Sequence, residues 1–154
     1  MKKKISAFLL LLIVSSCGYE AKYSSKNIKR YNFSISEMNF IGDRVLNIKI
    51  KEKLNIYTQS TKEKVFTLEV TSKSNKVTTA KDSAGDPTDF QNVIQVSVIT
   101  FINDKLKDNF LISENFSYKN NSNKFDLESY EREIKNNLAE LAAEKLIIRL
   151  SNIE

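Results

Sequence analysis

"GDRVLNIKIKEKLNIY", residues 42–57, fits two periods, and the one it follows decides the fold. As a strand, Leu46, Ile48 and Ile50 would alternate with Asn47, Lys49 and Lys51 across two faces. As a helix, Leu46, Ile50, Leu54 and Tyr57 share one face and only Ile48 is left opposite. Two features favour the helix. Asp43 can cap a helix beginning at Arg44, because its carboxylate can accept from the first free amides. Lys51, Glu52 and Lys53 are good helix formers. The stretch is therefore predicted as helix.

Working outward, "YNFSIS" at 31–36 alternates Tyr31, Phe33 and Ile35 with polar residues, the period of a half-buried strand. Residues 65–71 repeat that period with Phe66, Leu68 and Val70. "NVIQVSVITF" at 92–101 sets Ile94, Val96 and Val98 on one face, with Ile99 and Phe101 on the other. A strand apolar on both faces is central or has a partner on its outer side. "NFLISENFSY" at 109–118 lines up Phe110, Ile112, Phe116 and Tyr118, with Glu114 as the exception. Gly85 and Asp86-Pro87 mark the tip of a long hairpin between the second and third strands.

The closing segment, "LESYEREIKNNLAELAAEKLIIRL", has neither glycine nor proline, and Asp126 precedes it as a candidate cap. Leu127, Tyr130, Ile134, Leu138, Leu141, Ala142 and Ile148 lie within roughly 60° of one line on a helix. Glu128–Arg132 and Glu131–Lys135 are favourably spaced pairs on its polar side. At 1.5 Å per residue the helix is roughly 35–40 Å long, enough to cross a four-stranded sheet. The predicted order is β-α-β-β-β-α. The fold class is α+β, a single four-stranded sheet with two helices on one face.

The chain has no histidine or tryptophan, so acid–base work would fall on carboxylates or lysine, and nothing clusters them. "DSAGD" places Asp82 and Asp86 around a glycine but lacks the alternating oxygen ligands of a calcium loop, and a solvated turn is the better reading. Ser83 has no neighbouring base to activate it. No enzyme activity, catalytic residue or metal site is expected. Lys73, Lys76 and Lys81 are spaced along the hairpin among serine, threonine and asparagine, with Lys62 and Lys64 at its base. Lysine is a point-charge partner for phosphate, but it also protects edge strands from aggregation.

Lys2, Lys3 and Lys4 followed by an apolar run from Ile5 to Val14 have the layout of a secretory signal. Val14-Ser15-Ser16-Cys17 looks like a lipobox, where a diacylglycerol is attached to the thiol and the chain is cut before it. The alternative is a plain signal peptide with a chance cysteine. Cys17 is accordingly predicted as the lipidation site, carrying covalent diacylglycerol and an N-acyl chain, with no other cofactor. Residues 1–16 would be the lipoprotein signal peptide, 17–30 a polar lipidated tether, and 31–154 a single α+β domain. Without residues 1–16 the chain has 138 residues with 21 basic and 19 acidic side chains, so attraction to nucleic acid is a weak argument. Cys17 is the only cysteine, so the domain must stand on packing alone.

These pieces resemble one family. Cys17-Gly18-Tyr19, the element order, the long last helix, "KDSAG" at 81–85 and Ser117-Tyr118 are similar to the lipopolysaccharide-assembly lipoprotein LptE family. The resemblance implies a non-enzymatic lipoprotein that plugs the LptD β-barrel, helps it assemble and binds lipopolysaccharide in transit to the cell surface. It further implies an outer-membrane location on the periplasmic side, with Lys73, Lys76 and Lys81 meeting lipid A phosphates. Gly18 stands where an aspartate commonly retains lipoproteins in the inner membrane. The alternative is a generic outer-membrane lipoprotein acting as a scaffold in another envelope complex.

Overall fold

The computed structural model describes residues 31–59 and 61–153. The predicted signal peptide at 1–16 and the tether at 17–30, including Cys17, lie outside the described residues. The elements follow the predicted order: β1 (Phe33–Gly42), α1 (Arg44–Leu54) with a short 3-10 turn (Asn55–Tyr57), β2 (Lys64–Lys81), β3 (Pro87–Ile102), β4 (Lys105–Lys119) and α2 (Lys124–Ser151). They form one sheet in the order β1-β2-β3-β4. β1 and β2 pair in parallel, with α1 as the crossover. The other two pairings are antiparallel hairpins.

The ambiguous stretch is a helix because its ends and its buried face agree. Asp43 Oδ1 accepts from Val45 N at 3.0 Å and Leu46 N at 3.2 Å. Leu46, Ile50 and Leu54 are fully buried, whereas Ile48 is 46% exposed. A strand would have sent Leu46 and Ile48 to the same side. The entry into α1 needs Gly42, whose φ is +102° and whose Cα approaches the backbone of Ser72. Around the start of β1, Phe33 stacks on Tyr57 at 4.5 Å and meets Phe66 edge-on at 5.7 Å.

The strands run further than their apolar patterns. β1 begins at Phe33, not Tyr31, and its register shifts between Ile35 and Glu37, so a single period of two could not carry through. β2 extends from the predicted 65–71 to Lys81 because its polar half pairs with β3 in the hairpin. Asn103 and Asp104, at φ 50° and 59°, make the two-residue turn into β4. On β4 only Ile112 and Tyr118 are buried, and Phe116 is 45% exposed because it lies toward the uncovered edge.

Two expectations for the last helix are corrected. Asn123, not Asp126, is its cap, accepting from Phe125 N at 3.1 Å and Asp126 N at 3.4 Å. Asp126 instead sits in the first turn, where a carboxylate complements the helix dipole. The buried residues are Ile134, Leu138, Ala139, Ala142, Ala143, Leu146 and Leu150. That arc lies roughly a quarter turn from the predicted line. Tyr130, Leu141 and Ile148 are about half exposed on its flank. The reason is close packing: three fully buried alanines let α2 approach its neighbours, whereas the predicted line weighted large side chains.

Candidate functional site

The β2–β3 hairpin does not gather its three lysines at one point. Lys73 and Lys76 differ by an odd number of residues on a regularly paired stretch of β2, so they project from opposite faces. Lys73 is exposed and pairs in register with Gln95 on the uncovered face of the sheet. Lys81 ends β2 beside the tip, after register shifts at Ala80. Lys76 turns to the helical side, where its Nζ meets Glu131 Oε1 at 2.5 Å and lies 3.8 Å from the centroid of the Phe90 ring. Such a cation is held both by a carboxylate and by an aromatic face.

Glu131 has a second donor, the Tyr118 hydroxyl at 2.8 Å. Burial, and then the adjacent Glu131 carboxylate, push the Tyr118 phenol well above its ordinary value, so it stays a neutral donor. β2, β3, β4 and α2 therefore converge on one charged and aromatic cluster. Beside it lies a cavity of about 430 Å³ lined by Lys76, Lys124, Asn120, Asn121, Ser122 and Glu131, among others. The two ammonium groups there are matched by two carboxylates, Glu128 and Glu131. Lys76 is already paired, so among the described residues Lys124 is the cation of this lining without an ion pair to a carboxylate inside it. Lys124 and the 120–122 loop were not singled out from the sequence, since 44 or more residues separate them from Lys76. Tertiary structure alone brings them there.

At the hairpin tip, Asp82 Oδ1 accepts from Ala84 N and Asp86 N, both at 2.9 Å, and Gly85 adopts φ 91°. The "DSAGD" carboxylate thus closes a turn. Among the described residues there is no group of three or more Cys, Asp or Glu that could hold a metal ion, and no helix is long and apolar enough to cross a membrane.

The predicted Glu131–Lys135 pair gives way to longer-range partners: Glu131 takes Lys76, and Lys135 takes Asp43 at 2.5 Å. Arg149 reaches Asp108 at 2.8 Å and Lys145 meets Glu114, tying α2 to β4. The Arg149 hydrogen bond, outweighing partial burial, holds Asp108 below its ordinary carboxylate value. Glu114, the polar exception on an apolar face, is explained by Lys145. Between α2 and the edge strand, Phe116, Tyr130, Ile134, Leu138 and Leu141 line a small apolar groove of about 240 Å³.

The opposite face of the sheet has no helix over it. Gln91 Nε2 there donates to Asn115 Oδ1 and Ser117 Oγ, both at 3.2 Å. Ile41 and Leu111 stand out at 69% and 60% exposure.

No protein-family model matches the chain, and no curated protein matches its sequence. Solved structures do match in fold. The rare lipoprotein B of Shewanella oneidensis is 13% identical, with a TM-score of 0.55 over 75% of this chain and 97% of that one. A proposed lipoprotein of Caulobacter crescentus CB15 is 12% identical, with a TM-score of 0.56 over 76% and 87%. A minor lipoprotein of Acinetobacter baumannii is 11% identical, with a TM-score of 0.55 over 79% and 92%. At such identities the likeness is one of fold. The structural neighbours are bacterial lipoproteins.

Proposed function

We propose that this chain is a non-enzymatic outer-membrane lipoprotein of the LptE kind, which plugs and helps assemble an LptD-type β-barrel and binds lipopolysaccharide during its transport. The observation that carries this reading is the β-α-β-β-β-α domain itself, closed by the 28-residue α2 and shared over three quarters of the chain with bacterial lipoproteins. The Val14-Ser15-Ser16-Cys17 motif supports it independently, since a lipid on Cys17 would hold the domain at the periplasmic side of the outer membrane. A lipid A head group presents phosphates, and the exposed Lys73 and Lys81 of the hairpin offer matching charge.

The test is co-purification. Tagged full-length chain, expressed in a lipopolysaccharide-producing cell, is extracted from envelopes and its partners identified by mass spectrometry. The expected result is a stable complex with an LptD-type barrel, together with mature protein whose mass shows acylated Cys17. A folded, acylated chain that brings down another envelope complex and no such barrel would overturn the proposal in favour of a general scaffold.

A further inference from the structure

We infer that the outer face of α1 and the edge of β1 beside it bind a phosphorylated amphiphile, its phosphate on Arg44, Asn47 and Lys51 and its apolar body against Phe40 and Ile48. The inference rests on the proposed lipopolysaccharide binding and gives it a contact that the hairpin lysines do not supply. These five side chains, with Gly42, line a shallow groove of about 260 Å³. It lies on the helical side of the sheet, where Phe40 pairs in register with the buried Val70. Arg44, Asn47, Ile48 and Lys51 fall within roughly 100° of arc on α1, while Leu46, Ile50 and Leu54 take the buried side.

The first observation is what the polar side chains of the groove offer: all three are donors, and no carboxylate lines it. The buried Ser72 donates through Oγ to Asn47 Oδ1 at 2.6 Å, so Nδ2 is the side-chain atom of Asn47 left to reach a ligand. The second observation is how the charge of α1 divides. The helix carries four cations and one carboxylate. Lys49 pairs with Glu52, and Lys53 with Glu140 on α2. The side chains of Arg44 and Lys51 have no hydrogen bond or ion pair among the described residues. The carboxylates nearest in the chain are already engaged. Asp43 is held by Lys135 and by the amides of Val45 and Leu46, and Glu37 on β1 accepts from Asn39 Nδ2. Charge on the α2 side of the helix is therefore neutralised, and charge on the β1 side is not.

Those donors select the ligand. Along the helix axis Arg44, Asn47 and Lys51 span roughly 10 Å, within reach of one head group. A phosphate presents three strong acceptor oxygens to them, with the guanidinium fork suited to two at once and the ammonium acting as a point charge. The apolar neighbours distinguish an amphiphile from free phosphate. Ile48 is 46% exposed between Arg44 and Lys51, Val45 beside it is 40% exposed, and Phe40 is only partly covered. A ligand with apolar surface next to its phosphate takes these side chains out of water, whereas free phosphate covers none of them. The size of the groove fits a head group and the start of its acyl portion, far short of the roughly 800 Å² that a protein partner buries on each side. On the translocon reading the ligand is the phosphorylated head group of lipopolysaccharide.

The test uses the full-length chain, purified in detergent and titrated with lipopolysaccharide. Arg44→Gln with Lys51→Gln removes both unpaired cations of the groove, and Lys105→Gln with Lys107→Gln removes two exposed lysines from the start of β4. The expected result is a loss of affinity of more than about tenfold for the first pair and less than about twofold for the second. Lipopolysaccharide stripped of its phosphates by a phosphatase should bind the parent as weakly as the intact lipid binds the α1 variant, and inorganic phosphate should not compete. A benzoyl-phenylalanine cross-linker at Ile48 in the otherwise unaltered chain should form an adduct with lipopolysaccharide in cell envelopes, and one at the exposed Leu106 should not. The cross-linker decides the matter if the α1 variant fails to fold. Undiminished binding by the folded α1 variant, equal losses from the two pairs, or an Ile48 adduct to a protein and not to lipid would overturn the site and leave lipopolysaccharide binding standing. Unchanged binding of the dephosphorylated lipid, or competition by inorganic phosphate, would overturn the ligand class. Failure of the parent to bind lipopolysaccharide at all would sink that part of the proposed function, and this site with it.

Discussion

Lys135 on α2 donates to Asp43 Oδ2 at 2.5 Å, joining the last helix to the cap of the first across 92 residues of chain. The other oxygen of that carboxylate holds the amides of Val45 and Leu46. One side chain therefore starts α1 and fastens α2 over it.

The pH dependence follows from that geometry. Burial alone would raise the Asp43 pKa, but Lys135 and the two amides together bring it below the ordinary 3.8. A carboxyl with a depressed folded pKa contributes stability above its unfolded value and loses it as pH falls through the folded one. Stability should therefore decline as pH drops below 3.8. Asp43→Asn, which keeps the capping oxygen but not the charge, should show a shallower decline in urea midpoints between pH 7 and pH 3. Asp43→Ala should cost about 1–2 kcal/mol at neutral pH. Parallel acid profiles for Asp43→Asn and the parent would show that the ion pair contributes nothing.

Gly42→Ala should be among the most damaging single changes. A Cβ there would lie 2.0 Å from the Ser72 carbonyl oxygen, on a residue at φ +102°. Backbone rather than a flexible side chain is in the way, so a cost of at least about 3 kcal/mol is expected in equilibrium unfolding. A loss under 1 kcal/mol, on the order of a simple propensity change, would mean that β1 and β2 separate readily at this point.

The two leucines on α2 should behave differently. Leu146 is fully buried, and Leu146→Ala should cost about 2–5 kcal/mol. Leu141, 46% exposed, should lose roughly 1 kcal/mol in the isolated domain. Equal losses would place Leu141 under a covering surface already present in the free protein.

Charge reversal along the hairpin separates a structural lysine from exposed ones. Lys76→Glu would set two carboxylates together at Glu131 and should lower the melting temperature. Lys73→Glu with Lys81→Glu touches no such partner and should change stability by less than about 0.5 kcal/mol. Binding of lipopolysaccharide to this second variant should fall, and the parent's binding should weaken with salt, because exposed charges are screened beyond about 8–10 Å. Undiminished binding by the folded double variant would remove both lysines from the lipid site.

Local patterns carried much of this architecture. The spacing of Leu46, Ile50 and Leu54, the cap at Asp43 and the alternations through Phe66–Val70 and Ile94–Val98 each depend on a few neighbouring residues, and each element formed where its pattern lay. The pattern weakened where burial depends on a distant surface. Leu141 and Leu146 are both leucines on one helix, but only Leu146 is fully buried, because buried alanines set the rotation of α2.

The sequence by itself determined the element order, the helix beginning at Arg44 and the hairpin turn, since backbone periods, caps and turn motifs are local properties. Tertiary structure alone decided which charge meets which. Lys76 pairs with Glu131 rather than standing free beside Lys73, and Lys135 with Asp43 rather than with Glu131. Long side chains can reach any of several partners, and the choice is made by where the hairpin and α2 come to lie after the core has packed.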